Sequence, residues 1–231
     1  MAKYITLTKH PERLCGELGI SMYFGAPAPQ RIPKVHLQAS HPDSAWTETF
    51  ENNTIPASYY SARTDLIYVR TERGIVYSDG CFVGCTNLEK AVINGSSTIA
   101  ASSFRGCSSL TSVTINTNGT QEIGDSAFAD CDTLTSITLP SSLQIIGNYV
   151  FMGCSSLDSV ILGSGLTQIN QQCFANCISL LEITCTAPTA PTLGANVFRN
   201  VASDGTLYVP TGSDYSTWLA ALPQNWTIEY I

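Results

Sequence analysis

The residue types in this 231-residue chain that could ligate a metal, bridge as disulfides or attack a substrate are nine cysteines and three histidines. All three histidines, His10, His36 and His41, fall near the N-terminus. His36 and His41 with Asp43 could build a local metal or acid–base site, but their spacing matches no ligand pattern. Cys81-x-x-x-Cys85 and Cys173-x-x-x-Cys177 lack the spacing of a zinc knuckle and have no histidine nearby. No G-x-S-x-G, phosphate-binding loop or dinucleotide fingerprint is present. The expectation from these residues is a non-enzymatic chain with no metal and no cofactor.

Position explains the cysteines better than reactivity does. Phe82, Phe104, Phe128, Phe151, Phe174 and Phe198 recur at spacings of 22, 24, 23, 23 and 24 residues. Three residues after each of the first five stands Cys85, Cys107, Cys131, Cys154 or Cys177, and three further on Leu88, Leu110, Leu134, Leu157 or Leu180. Two more apolar columns follow, beginning at Ala91 and Ile93, and another precedes each Phe by five residues, from Tyr77 to Leu193. Cys185 belongs to one of these columns, and Cys81 and Cys173 fill the slot before Phe. Cys15 has no place in the pattern. Buried free thiols are therefore expected, because a small apolar side chain suits a packed column. Stacked neighbours would lie about 5 Å apart, within disulfide reach but with their Cβ vectors parallel.

A repeat of 22 to 24 residues is the mark of a solenoid, in which one copy cannot bury its apolar edge alone and so stacks on the next. Within a copy, L-x-x-I-x-L ends in apolar residues two apart, the period of a short strand with one buried face. The stretch I-G-x-x-A-F-x-x-C spaces its apolar residues nearer to a helical turn, and Gly124, Gly147 and Gly194 are read as the bend into it. The fold class expected is an α/β repeat with one parallel strand and one short helical turn per copy, capped at both ends. Segments such as IGDSAFADCDTLTSITLP (123–140) and IGNYVFMGCSSLDSVIL (146–162) resemble the BspA-like, Treponema-type leucine-rich repeats. The resemblance implies a mostly non-catalytic surface or secreted protein of bacteria or protists, linked to adhesion and protein recognition.

Three segments are expected. Residues 74–209 hold about six copies, and 210–231 a closing helix and strand that also resembles the family's last segment. There Tyr215, Trp218, Leu219 and Leu222 share one helix face, with Ser213 as N-cap and Ile228–Ile231 as a strand. The sixth copy has Val201 and Asp204 where Cys and Leu stand elsewhere, as a terminal repeat would. Residues 1–73 do not fit the pattern and are read as an irregular cap or docking element. Expected in it are a helix start near Thr8, Pro11 and Glu12, extended chain from Ala26 to Pro33, and a Ser40/Asp43 capping box opening a helix over 45–50. Leu66–Val69 and Gly74–Tyr77 read as strands joined by a turn. Its aromatics, Tyr4, Tyr23, Phe24, Trp46, Phe50, Tyr59 and Tyr60, are expected to pack on the first repeat or to meet a partner or a second copy of the chain.

Composition bounds the partners. Charged residues make up 13% of the chain, about half the usual share, and the net charge is −7. Ser and Thr, 25 of each, supply the missing polarity. Residues 1–73 hold eight of the eleven basic side chains, so the repeats cannot build the positive field a phosphate backbone needs, and nucleic acid is excluded as a generic partner. No apolar run approaches the ~20 residues of a membrane helix, and Met1–Ile20 shows no signal-peptide core. Either the start of the chain has been trimmed, or the protein acts inside the cell, or it leaves without the secretory pathway, as virion parts released by lysis do. The residues between the buried strand positions point outward, and Lys90, Thr114, Ser136, Thr138, Ile161, Glu182 and Tyr208 are the candidate binding residues on this nearly uncharged face. Phe82, Phe104, Phe128, Phe151, Phe174 and Phe198, with Leu110, Leu134 and Leu157, are the expected core. The function expected is recognition or assembly, displayed on a bacterial surface or phage particle. An adhesin-like module that binds a host protein or glycan through the strand face is the second reading.

Overall fold

The computed structural model describes residues 33–39, 45–94, 96–116 and 119–231. The expectations for residues 1–32 and 40–44, among them Cys15, His10, His41, Asp43 and the helix start near Thr8, lie outside the described residues. In chain order the elements are β1 (Val35–Ala39), β2 (Ala45–Glu48), β3 (Thr54–Ile55), β4 (Leu66–Thr71) and β5 (Val76–Tyr77). Next come β6 (Lys90–Asn94), β7 (Thr98–Ile99), β8 (Ser112–Asn116), β9 (Glu122–Ile123), β10 (Ser136–Thr138) and β11 (Ile145–Ile146). The chain continues through β12 (Ser159–Leu162), β13 (Gln168–Ile169), β14 (Glu182–Cys185), β15 (Thr192–Leu193) and β16 (Thr206–Val209). It closes with α1 (Ser216–Ala221) and β17 (Thr227–Tyr230).

Each copy contributes one longer strand and one two-residue strand, and both kinds stack in parallel. The longer strands form two sheets, β2-β1-β4-β6-β8 and β10-β12-β14-β16-β17, and the short ones form a third, β7-β9-β11-β13-β15, and a two-stranded fourth, β3-β5. Residues of one column are Cα partners, as Ile137, Val160, Ile183 and Leu207 are across three ladders. Between the sheets lies the core. The six Phe rings stack face on face at 5.2 to 6.0 Å, tilted by 1° to 9°. The Leu column, including Leu110, Leu134 and Leu157, has no exposed surface.

The segment around each Phe is not helical. In every copy the residues two before and two after the ring have positive φ, for example Gly80 and Gly84, Ser126 and Asp130, Asn196 and Asn200. Alternating right- and left-handed residues turn successive peptide planes over, so alternate N–H groups leave the copy instead of bonding within it. The Phe104 N–H thus donates to Ala127 O at 2.8 Å and the Phe128 N–H to Val150 O at 3.0 Å. A helix would satisfy these donors internally and give the stack no cross-links. The expected helical turns are therefore replaced by a ribbon of turns bonded from copy to copy. The role read for three glycines changes with it. Gly124, Gly147 and Gly194 stand where a neighbouring backbone comes close: an added Cβ at Gly194 would lie 2.5 Å from Gln171 N, and at Gly124 2.7 Å from Ala101 N.

The parallel ladders also begin ahead of residue 74. β3 pairs in parallel with β5, and β4 with β6. Tyr60 stacks on Phe82 at 4.9 Å and 6°, with Ser58 and Ala62 left-handed on either side. Leu66, Val69 and Thr71 continue the buried columns, and Arg63 takes the Cys position. The boundary expected between 73 and 74 therefore falls between two copies and leaves a full one, from β3 to β4, in the N-terminal segment. β4 and β5 belong to different sheets, so the turn expected to join Leu66–Val69 to Gly74–Tyr77 does not form a hairpin. Nor is there a helix over 45–50: Ala45–Glu48 is β2, antiparallel to β1, and pairing with a neighbour outweighs the local capping signal. At the other end α1 places Trp218 5.7 Å from Phe198 and buries Tyr215, Trp218 and Leu222. Its first turn is held by Asp214 Oδ1, which accepts from the Ser216 N–H at 2.9 Å, whereas Ser213 Oγ bonds back to Pro210 O.

Candidate functional site

Along the longer strands every second side chain points away from the core, and the ladders set these residues in two rows. One row runs through Thr47, His36, Arg70, Val92 and Thr114 in the first sheet, then Thr138, Ile161, Thr184, Tyr208 and Glu229 in the second. The other runs through Ala45, Gln38, Tyr68, Lys90 and Ser112, then Ser136, Ser159, Glu182, Thr206 and Thr227. Lys90, Thr114, Ser136, Thr138, Ile161 and Glu182 are exposed, and Tyr208 is half-buried between its neighbours. The face is polarised. Arg70 and Lys90 stand toward its N-terminal end, Glu182 and Glu229 toward its C-terminal end, and hydroxyls fill the middle. Tyr68 and Arg70, of the types that anchor protein interfaces, were missed because their copy lacks the Phe and Cys that mark the repeat.

The two sheets do not join. Among the described residues no backbone hydrogen bond links β8 to β10, although β6–β8 and β10–β12 are paired on either side. Across the same junction the Phe104 and Phe128 rings stay stacked at 5.3 Å, and β9 pairs with β11. The stack is thus opened on one side only, as a wedge. Its cavity of about 400 Å³ is lined by Thr111, Ser112, Thr114, Asn116, Ser136 and Thr138, with Val113, Ile115 and Ile137 beneath. Val113 is half-buried and Ile115 keeps 9% of its surface, whereas the matching residues of the other copies keep no more than 3%. One cause is visible: the Thr186 N–H donates to Leu162 O at 3.0 Å, and Pro140, in the same column, has no N–H to give. Pro210 shares that column while β14 and β16 still pair, so the lost donor alone does not open the sheet. Of the candidate residues, the wedge brings Thr114, Ser136 and Thr138 together; Lys90, Ile161, Glu182 and Tyr208 lie on the paired strands beside it.

Toward the N-terminal edge, Glu48 accepts hydrogen bonds from Tyr60 Oη at 2.7 Å and Trp46 Nε1 at 2.9 Å. Arg63 lies 5.6 Å from the Trp46 ring and holds Asp65 at 2.6 Å, which lowers the Asp65 carboxyl below its ordinary range. His36 Nε2 is 3.1 Å from Glu72 Oε1. No group of three His, Cys, Asp or Glu among the described residues is placed to share a metal ion.

The cysteine column is a hydrogen-bonded ladder. Cys85, Cys107, Cys131, Cys154 and Cys177 each direct Sγ at the carbonyl of the preceding copy's aromatic residue, at 3.0 to 3.3 Å. All eight described cysteines are free and buried. Burial pushes the Cys81 and Cys154 thiols up to about 12 and Cys85 to about 11. A nucleophilic thiol needs the opposite shift, so these are structural.

The profile of the BspA type leucine rich repeat region matches residues 76–203 in six copies. A solved leucine-rich repeat protein from Bacteroides ovatus aligns over 77% of this chain and 41% of its own, with a TM-score of 0.53 and 24% identity. The present chain thus spans about two fifths of that protein's length. The Treponema pallidum leucine rich repeat protein aligns over 59% of this chain and 82% of its own, with a TM-score of 0.40 and 22% identity. No curated protein matches the sequence.

Proposed function

This chain belongs to the BspA-type leucine-rich-repeat family, and on that premise we propose that it is a non-enzymatic scaffold that binds protein through its longer-strand face. The observation that carries the reading is the pair of outward rows, held in register by parallel ladders over a stacked aromatic core. Such a surface is preorganised, so binding orders few side chains and little of the interaction energy is lost to entropy. Sealed thiols and scattered carboxylates support a binding role over catalysis. In this reading Lys90, Thr114, Ser136, Thr138, Ile161, Glu182 and Tyr208 contact the partner, joined by Tyr68 and Arg70.

The finer reading is display. Members of the family are typically surface-associated bacterial proteins, and no helix among the described residues is long and apolar enough to cross a membrane. The N-terminal segment, with most of the chain's basic residues, would mount the solenoid on a surface or particle, while α1 and β17 close the far end. Panning a displayed peptide library on the full chain tests the face. Binders should lose at least about tenfold in affinity to the Thr138→Glu, Ile161→Glu and Tyr208→Glu triple variant, a loss of about 1.4 kcal/mol or more. Binders indifferent to all three substitutions would place recognition elsewhere. Neutral-glycan binders on a glycan array probed with the same chain, with none from the peptide library, would favour the adhesin-like reading.

A further inference from the structure

We propose that the wedge between β8 and β10 is a docking slot for an extended, uncharged peptide segment, which completes the interrupted sheet. The proposal rests on the protein-binding reading above and narrows it to one place and one kind of occupant. Three observations meet there. First, backbone hydrogen-bonding groups are left over on both sides. Leu139 donates its N–H to Ile161 O, so by strand alternation Ser136 and Thr138 turn their N–H and C=O toward β8. Ser112 donates to Glu89 O, so Val113 and Ile115 turn theirs toward β10. Unpaired strand edges are templates for another strand, and an extended backbone is the ligand whose donors and acceptors repeat at their spacing.

Second, the floor is apolar and partly uncovered. Val113 and Ile115 are the members of their columns that keep more surface than the rest, and an apolar side chain pointing inward from a docked strand would cover them. Third, the lining carries hydroxyls and one amide but no charge. It holds no cation to neutralise a phosphate or a carboxylate, and it suits a peptide whose own side chains are small, apolar or hydroxylated. At about 400 Å³ the space lies near the lower end of ligand-sized cavities, enough for a short stretch of chain. The opposite side of the stack stays closed through β9–β11 and the Phe104–Phe128 pair and acts as the hinge: Cα atoms of β8 and β10 still approach within 8 Å, so a docked strand must spread that edge to about 9.6 Å, twice the usual strand spacing.

The repeat supplies its own probe. A peptide copying residues 159–164, blocked at both ends, is uncharged and carries Val160 and Leu162 in the inward register shared by every copy. Amide hydrogen exchange of the full chain is followed with and without 1 mM-range peptide, ~10³-fold above a micromolar site. Exchange at Val113, Ile115, Ser136 and Thr138 should slow at least about tenfold, while Ile137 and Val160, already paired, stay unchanged. Unchanged exchange at those four amides overturns the slot, and so does protection that appears only on the paired strands. The same protection from maltohexaose, with none from the peptide, overturns the peptide in favour of a neutral glycan. Failure here with library binders still sensitive to Ile161→Glu and Tyr208→Glu leaves the face reading standing; insensitivity of the binders sinks that reading on its own.

Discussion

Phe128→Ala tests the stacked core where it is most enclosed. The ring has no exposed surface and lies between Phe104, at 5.3 Å and 1°, and Phe151, at 5.6 Å and 7°. Truncating a buried Phe costs about 3–5 kcal/mol, from lost transfer energy and the cavity left behind. Two flat neighbours held by their own ladders cannot close over that cavity, so the upper half of the range is expected. Phe198 is the internal control. It has one flat neighbour, Phe174 at 6.0 Å, and a tilted Trp218 on its other side, which can lean in. Its truncation should cost at least about 1 kcal/mol less than that of Phe128. Because each copy touches only the copies beside it, the lesion at Phe128 falls on two interfaces in mid-stack. Urea unfolding should therefore show a lower midpoint and a broader transition, read by circular dichroism for the whole chain and, in a Trp46→Phe background, by tryptophan fluorescence for the end that holds Trp218 and Trp226. A cost below about 1 kcal/mol for Phe128→Ala, or equal costs at the two sites, would refute the picture of a ring stack with coupled copies.

Four further outcomes follow from the geometry. Thr138→Ala, on the outward row, should change stability by less than about 0.5 kcal/mol; a core-sized loss would mean that the strand register is off by one residue. Gly194→Ala should cost about 1–3 kcal/mol, because its Cβ would meet Gln171 N at 2.5 Å, while Gly119→Ala, with nothing within 4 Å, should be neutral in the same melt. In native protein a thiol reagent such as DTNB should leave the eight described cysteines unmodified and label them after denaturation; fast labelling of any of them in the native state would contradict their burial. Alkaline stability follows from the same thiols. Their folded pKa is raised, so their contribution is fully present below about pH 8.5, where folded and unfolded chains are both protonated. Above that pH the unfolded chain releases protons that the folded chain retains, and stability falls by about 1.4 kcal/mol per pH unit per thiol. The loss should run through pH 11 for Cys85 and pH 12 for Cys81 and Cys154, and Cys154→Ala should flatten the melting profile over that window.

What the sequence reveals is what recurs by residue type. The Phe, Cys and Leu columns keep their chemistry through five or six copies because each lies against its own kind, and period and parallel pairing follow from them. The left-handed positions are harder to see. Two residues after the ring stand Ala62, Gly84, Gly106, Asp130, Gly153, Asn176 and Asn200, mostly types that tolerate positive φ, and that column could have argued against a helical turn. Two residues before it stand Ser58, Gly80, Ser102, Ser126, Tyr149, Gln172 and Asn196, which share no such preference and give no warning. The first copy is hidden because Tyr60 and Arg63 replace its Phe and Cys, yet Tyr60 keeps a flat ring and so keeps the stack. β2 is hidden because its strand state is decided by β1, a partner brought to it by the fold. Of the candidate face, alternation alone places the seven residues, but which three border an opening depends on a ladder that fails to form. Pro140 was the one residue in the sequence that could have raised the question.

The thiol ladder has a consequence for the life of the chain. Every described cysteine is sealed in the core, and the five of the ladder bond to a carbonyl, so the folded solenoid is indifferent to the redox state of its surroundings. It can hold the same shape beside glutathione or in an oxidising exterior. The unfolded chain has no such immunity, since nine reactive thiols are then free to pair at random. Wherever oxidants are present, the yield of native protein is decided by a race between stacking and disulfide scrambling, and synthesis under reducing conditions hands that race to stacking.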